Sequence, residues 1–233
     1  MRTNFKIFLS VLMVATFFVG LSGKTDAQSA GSPQMVVTWQ AYGSYVPAKY
    51  ADKALPNQSS RLTATLELIV NGKPVDLSGQ TVYWYLNDNL TSSGAGKQYV
   101  VFSPFGTAPS FLTLEAELPS YNGNILTHDV QIPLVDPKAV IEAPHPSGQF
   151  STNPITLQGI PYFFFTSDPG TLSYAWSVNG QTATAAENPQ TLQINLGPTT
   201  PSGSSLLVAL TINNSNNSMT GNDSTNVVYL KQL

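Results

Sequence analysis

The feature that most constrains this chain is an internal repeat with a period of about 92 residues. Trp84 lies in the segment Thr81–Asp88, and Trp176 lies 92 positions later in the segment Leu172–Gly180. Each tryptophan is followed by an apolar residue and then by an asparagine-led turn. Similar apolar segments precede and follow both tryptophans at nearly the same offset. Because five or more segments match at one period, the sequence predicts two tandem copies of one domain.

The repeated segments alternate between apolar and polar residues. The stretch from Leu62 to Leu68 has an apolar side chain at every second position, and the stretch from Leu112 to Leu118 repeats this pattern. A period of two with one apolar face is typical of a half-buried antiparallel strand. Asn-Gly pairs supply the backbone that tight hairpin turns require, and frequent prolines exclude long helices. The sequence therefore predicts an all-β chain.

Each copy has the pattern of an immunoglobulin-like β-sandwich, with about seven short strands around a central tryptophan. The segment Tyr174–Gly180, and more weakly Tyr83–Asp88, resembles the PKD-like and related Ig-like modules of bacterial surface proteins. The resemblance covers roughly residues 35–233. It implies two tandem Ig-like (PKD-like) antiparallel β-sandwiches, with Trp84 and Trp176 as structural core residues, and it implies no activity.

The first 27 residues have the pattern of a secretory signal peptide. Arg2 and Lys6 precede an almost unbroken apolar run of 15 residues from Ile7 to Leu21, and Thr25 and Ala27 provide small residues for cleavage after Ala27. A membrane-spanning helix needs roughly 20 apolar residues. The shorter run favours a cleaved signal, and an uncleaved membrane anchor is the alternative.

These patterns predict a signal peptide at residues 1–27, a first sandwich at 28–136 and a second at 137–233. The linker between the sandwiches is short and contains proline, which makes it semi-rigid. The chain has no cysteine, and an exported protein of this size without disulfides is typical of bacteria rather than animals. We therefore expect a secreted or cell-surface protein, attached to a membrane only if the leader is uncleaved.

Composition excludes several classes of function. Charged residues make up 10% of the chain and the formal net charge is −3, whereas a nucleic-acid binder normally has a basic face. The absence of cysteine excludes zinc–thiolate sites, iron–sulfur clusters and thiol catalysis. His128 and His145 are the two histidines, and no nucleophile-elbow motif accompanies them. We therefore predict no catalytic residues and no cofactor.

Two groups of acidic residues have competing interpretations. Asp88 and Asp223 lie in asparagine-rich segments that offer oxygen ligands for calcium, but turn chemistry explains both segments without a metal. Glu115 and Glu117 share one face of a predicted strand and suit a sugar or a cation. A solvated face that keeps the strand from pairing with others is the alternative. We therefore predict no metal site.

A long connection is the best candidate for recognition. The stretch from Tyr42 to Tyr50 follows the first strand of the first sandwich and runs on through Pro56 to Ser60, a connection of some 18 residues that is long for a sandwich loop. Tyr42, Tyr45 and Tyr50 lie at its start, and tyrosine is enriched at recognition surfaces. The alternative is a loop folded over one end of the core. A second aromatic run, Tyr162–Phe165, fits a strand buried on both faces or a strand that faces the other domain.

The sequence thus predicts a non-enzymatic binding or adhesion module whose partner is a protein or a glycan at the cell envelope. Two alternatives remain open: an accessory module of an exported polysaccharide-degrading system, and a structural subunit of a pilus or secretion apparatus. The fold by itself does not choose between them. No nucleic acid and no cofactor is expected.

Overall fold

A computed structural model describes residues 32–104, 110–144, 146–184 and 187–231. The predicted signal peptide and His145 lie outside these residues. Regular structure in the described residues consists of sixteen strands and one 3₁₀ turn at Pro169–Thr171. None of the described residues forms a helix with the length and apolarity that a membrane span requires.

The first half of the chain folds as two antiparallel sheets. Its strands are β1 (Gln34–Tyr42), β2 (Arg61–Val70), β3 (Lys73–Pro74), β4 (Thr81–Leu86), β5 (Asn89–Ala95), β6 (Tyr99–Phe102), β7 (Phe111–Tyr121) and β8 (Asn124–Pro133). In one sheet β2 is central and pairs with β1, β3 and β6. The other sheet has the order β5-β4-β7-β8. The apolar positions of the two sheets face each other and form one core.

The second half repeats this arrangement. Its strands are β9 (Lys138–Glu142), β10 (Gln149–Phe150), β11 (Ile155–Tyr162), β12 (Ser173–Val178), β13 (Gln181–Ala183), β14 (Thr191–Ile194), β15 (Ser205–Asn214) and β16 (Met219–Tyr229). One sheet has the order β14-β11-β9 and the other β10-β16-β15-β12-β13. The two-residue strand β10 pairs with β16 in parallel, because the chain crosses from the first sheet to the second between β9 and β10 instead of turning back in a hairpin.

The two tryptophans occupy equivalent positions. Trp84 and Trp176 are 0% and 2% exposed; Trp84 lies on β4, which pairs with β7, and Trp176 lies on β12, which pairs with β15. The Nε1–H of Trp84 donates to the carbonyl of Lys97 at 2.7 Å, and that of Trp176 donates to the carbonyl of Pro189 at 3.0 Å. Both acceptors lie 13 positions after their tryptophan, so the sequence repeat extends to the hydrogen bonds of the core.

The asparagine that follows each tryptophan also has the same role in both halves. Asn87 donates its backbone N–H to the carbonyl of Thr113 at 2.8 Å, and its Oδ1 accepts the N–H of Thr113 at 2.9 Å. Asn179 makes the same two bonds with Leu207, at 2.8 and 2.9 Å. The buried apolar residues form two separate clusters, one in each half. The predicted all-β fold of Ig-like sandwiches is therefore confirmed.

Candidate functional site

The connection 43–60, here called the junction loop, lies against the second sandwich. The N–H of Tyr45 donates to the carbonyl of Phe164 at 2.8 Å, and the N–H of Phe163 donates to the carbonyl of Tyr45 at 2.6 Å. The ring of Tyr50 meets Phe163 edge-on, with centroids 5.9 Å apart, and meets Tyr162 at 6.0 Å. The loop of the first domain thus pairs with the aromatic segment of the second.

Asn57 joins the two domains through a buried amide. Its side chain is 0% exposed, its Nδ2 donates to the carbonyl of Phe163 at 2.7 Å, and its Oδ1 accepts the N–H of Ser59 at 2.8 Å. Phe163 has φ of +61°, a conformation that is unfavourable for a bulky residue. Because its N–H bonds to Tyr45 and its carbonyl to Asn57, the first domain satisfies both backbone polar groups of this strained residue.

Two further contacts close the junction. Gly43 has φ of +82°, and a β carbon at this position would collide with the ring of Phe165. The loop therefore needs a residue without a side chain where it crosses the aromatic segment. Lys49 forms an ion pair with Glu142 of the second domain, with Nζ 2.6 Å from Oε1. Both side chains are largely exposed, so this pair adds little to stability.

The predicted binding tyrosines therefore divide into two groups. Tyr45 and Tyr50 are half-buried in the junction, whereas Tyr42 is 47% exposed and its hydroxyl donates to Oε1 of Gln40 at 3.2 Å. A ligand-binding role for the three tyrosines stays a prediction. The segment Tyr162–Phe165 is only partly the strand that the sequence predicts: β11 ends at Tyr162, Phe164 packs in the core of the second domain, and Phe163 contacts the first domain.

A polar cleft lies beside the junction. Its volume is about 460 Å³, and its polar lining includes Gln58, Ser59 and Asp136 from the first domain side and Asn217 and Thr220 from the second. The Nδ2 of Asn217 is buried and has no hydrogen-bond partner. The cleft is a wide opening between domains, so it places polar groups together without enclosing a ligand.

A second surface combines aromatic rings with carboxylates on the outer face of the sheet β5-β4-β7-β8. The alternation of β4 directs Trp84 into the core and Tyr83 and Tyr85 outward. The two tyrosine rings lie with centroids 6.3 Å apart and planes 39° apart. In the antiparallel register Tyr83 is opposite Glu117, and Tyr85 is opposite Glu115. Each ring is therefore beside a carboxylate on the next strand.

This face is strongly acidic. Asp129 of β8 lies opposite Glu115 and completes the set that we call the tyrosine face: Tyr83, Tyr85, Glu115, Glu117 and Asp129. Partial burial raises the pKa of Glu115, and the negative charges of Asp129, Glu117 and Asp88 raise it further. Partial desolvation raises the pKa of Tyr85, as do Glu117, Tyr83 and Glu115.

No cation offsets these charges within the described residues. Among the described residues, an ion pair joins Lys49 to Glu142, and neither residue belongs to this face. Every neighbour that shifts the pKa of Glu115 is itself acidic. The tyrosine face therefore has rings and carboxylates in adjacent positions, and no described residue forms an ion pair with it.

The tyrosine pair was not among the residues that the sequence pattern singled out, although the pattern contains it. Period-two alternation around Trp84 places Tyr83 and Tyr85 on the side opposite the core. The same alternation places Glu115 and Glu117 on the outer side of β7. What the sequence alone does not give is the register of β4 against β7, which brings the two pairs together.

The other candidate residues lie in strands or in a turn. Asp223 accepts the N–H of Ile141 at 2.7 Å through Oδ2 and the N–H of Ser224 at 2.8 Å through Oδ1. Asp88 has φ of +64° in the turn between β4 and β5. His128 lies within β8. Within the part of the chain that the structure describes, no three histidine or acidic side chains converge as a metal site requires.

The sequence matches no protein-family model and no curated protein. Among solved structures, the chain is similar to the fibronectin(III)-like modules of CbhA from Clostridium thermocellum, with 14% identity, a TM-score of 0.28 and coverage of 84% of this chain and 95% of that chain. The central fibronectin-III array of RIM-binding protein is 10% identical, with a TM-score of 0.30 and coverage of 77% and 67%.

A third similar structure is SGBP-B of the Bacteroides ovatus mixed-linkage glucan utilization locus, in complex with a mixed-linkage heptasaccharide. It is 14% identical, with a TM-score of 0.22, and the match covers 85% of this chain and 61% of that chain. At these scores the similarities support no inference about function.

Proposed function

We propose that this protein is a non-enzymatic binding module, exported to the cell surface or beyond it, that holds a protein or glycan partner through the tyrosine face. The observation that carries this proposal is the pairing of Tyr83 and Tyr85 with carboxylates that form no ion pair within the described residues. Tyrosine offers a large contact area at a low cost in side-chain entropy. The neighbouring carboxylates accept strong hydrogen bonds from hydroxyl or ammonium groups. Together they provide both contact area and orientation.

The shape of the face favours binding over catalysis. A glycosidase places two carboxylates on opposite sides of the bond that it cleaves, whereas Glu115 and Glu117 lie side by side on one strand of an open sheet. Catalytic electrostatics also depend on a site from which water is excluded. The carboxylates here lie partly exposed on the outer face of a sheet, so we propose that they orient a ligand and do not act on it.

The direct test is a binding screen with the chain from residue 28 onward, on arrays of glycans and of peptides. We expect the double variant Tyr83→Ser/Tyr85→Ser to lose the hits while its melting temperature stays close to that of the parent. Tyr99→Ser is the matched control, because Tyr99 is 64% exposed on the opposite sheet of the same domain. Equal binding by the parent and the double variant would show that the tyrosine face is not the site.

A second function is favoured by the junction. The hydrogen bonds of Asn57 and Tyr45 to the second domain suit a semi-rigid spacer, such as a structural subunit of a pilus or secretion apparatus or an accessory module of a polysaccharide-degrading system. We also propose that the protein is exported and that it is related to the PKD-like modules of surface proteins. N-terminal sequencing of the protein recovered outside cells tests export, and a start at Gln28 is the expected result.

A further inference from the structure

We propose that the tyrosine face binds an extended basic segment of a partner protein, with lysine or arginine at alternate positions. This inference rests on the proposed function and names the chemistry of its partner. It depends on three properties of the face: its charge, its spacing and the kind of contact that each of its rows offers.

The charge of the face calls for a cationic partner. Glu115 is flanked by Glu117 on its own strand and by Asp129 on the next, and like charges at such positions destabilise a sheet. The described residues supply no cation in response. A positively charged ligand removes this repulsion, whereas a neutral one covers the carboxylates and leaves the repulsion in place. Charge complementarity therefore selects a cation.

The spacing of the face fits alternate residues of an extended chain. Tyr85 with Glu115 forms one row across the strands, and Tyr83 with Glu117 forms the next. The tyrosine centroids are 6.3 Å apart. Side chains two positions apart on an extended peptide are separated by about 6.8 Å, because each residue rises about 3.4 Å. Two cations at alternate positions therefore reach one row each.

Each row offers a cation two favourable contacts. An ammonium or guanidinium group over a tyrosine ring gains a cation–π interaction, and the adjacent carboxylate accepts a charge-assisted hydrogen bond. Lysine and arginine have long apolar stems, which let the charged group reach between ring and carboxylate while the peptide backbone stays in water. This reach favours a polypeptide over a polymer that has its charge fixed directly on a sugar ring.

The opposite sheet of the same domain supplies a matched control. Glu67 and Tyr99 are exposed there, on neighbouring strands. They have the same two chemical groups without the paired arrangement of the tyrosine face. Replacing both removes one negative charge and one tyrosine away from the tyrosine face, so the pair separates a specific site from general electrostatic attraction.

The experiment measures binding of fluorescent synthetic octapeptides to the chain from residue 28 by anisotropy. One peptide alternates lysine and serine, a second has the same residues in two blocks, and a third alternates glutamate and serine. We expect the alternating lysine peptide to bind best and the glutamate peptide not to bind. Glu115→Gln/Glu117→Gln and Tyr83→Ser/Tyr85→Ser should each weaken binding by about tenfold, while Glu67→Gln/Tyr99→Ser stays within about twofold.

Several results would overturn the inference. Equal affinity for the alternating and blocked peptides would remove the spacing argument, and unchanged affinity of Glu115→Gln/Glu117→Gln would remove the charge argument. Binding of a glucosamine oligomer through Tyr83 and Tyr85, without binding of either lysine peptide, would show that the partner is a glycan. In that case the proposed function stands and only its partner changes. If the tyrosine variants bind every probe as the parent does, both proposals fail.

Discussion

The indole nitrogens of Trp84 and Trp176 explain why tryptophan, rather than phenylalanine, occupies the centre of each sandwich. A buried N–H must find an acceptor, and each indole donates to a carbonyl 13 positions later in the chain. This bond attaches the segment that leads into β6 or β14 to the strand that holds the tryptophan. The side chain thus fills the core and also fixes the position of a neighbouring segment.

Glu115 shows the opposite behaviour, because its charge costs stability. Its pKa is raised in the folded protein by burial and by the carboxylates of Asp129, Glu117 and Asp88. The folded state therefore binds the proton more tightly than the unfolded chain, and stability falls as the pH rises through this range. A residue that lowers stability and faces solvent is typical of a functional surface.

The upward shift of the pKa of Glu115 gives a prediction for the variant Glu115→Gln. Because the substitution removes the repelled charge, the melting temperature at pH 7 should rise. The gain should vanish below about pH 4, where an ordinary glutamate is already protonated. Differential scanning calorimetry across this pH range measures both effects. A lower melting temperature at pH 7 would mean that the charge of Glu115 is stabilising and that the electrostatic account of the face is wrong.

At the level of individual strands, most of the fold could be predicted from the sequence. The alternation in Arg61–Val70 and Phe111–Tyr121 predicts β2 and β7 with the correct buried faces. In a sheet with one buried and one solvated face, every second residue of a strand must be apolar, so the sequence shows a period of two. The tyrosine face was predicted only in part. The sequence predicts that Glu115 and Glu117 share one face that suits a sugar or a cation, but their tyrosine neighbours depend on the register between strands that are distant in sequence.

The junction loop was harder to predict for a different reason. Its length and tyrosines marked it as unusual, but its contacts form only when two folded domains meet. Asn57 illustrates this, since an asparagine between proline and glutamine is typical of an exposed turn, and here it is fully buried against Phe163. No local pattern encodes a hydrogen bond between residues 106 positions apart.

The variant Asn57→Asp tests the junction loop as an element. Aspartate keeps the acceptor for the N–H of Ser59 but lacks the Nδ2 donor and places a charge against the carbonyl of Phe163. We expect both cores to fold, and the unfolding free energy of the second domain to fall by about 1–3 kcal/mol, the usual cost of an unsatisfied buried group. Denaturant unfolding followed by tryptophan fluorescence measures this change.

Gln58→Glu is the control for that experiment, because it adds the same charge one position along at an exposed residue without removing a donor. It should leave the second domain's transition in place. If Gln58→Glu and Asn57→Asp have equal effects, charge near the junction, and not the hydrogen bond of Asn57, accounts for the loss.

At the scale of the whole molecule, the two hydrophobic clusters predict two unfolding units. Trp84→Ala should destabilise the first domain and Trp176→Ala the second, each by about 3–5 kcal/mol, as for other large-to-small changes in a core. Calorimetry should show a separate early transition in each variant. The intact domain should respond less, and only through the junction. If either variant shifts one common transition as a single unit, the chain does not have two separate cores.

The orientation of the two domains is the remaining property at this scale. Domains joined by a small interface move relative to each other by default. Here the bonds of Tyr45 and Asn57 and the ring of Tyr50 all connect the junction loop to one segment of the second domain. These contacts hold the tyrosine face at one fixed angle to the second sandwich.

Distance measurement between spin labels tests this most directly, and the absence of native cysteine leaves only the introduced positions to be labelled. Thr38→Cys in β1 and Thr182→Cys in β13 are exposed positions on different domains. The account predicts one narrow distance distribution in the parent, which broadens when Tyr50→Ala and Asn57→Asp are added. A broad distribution in the parent, unchanged by these two substitutions, would contradict it.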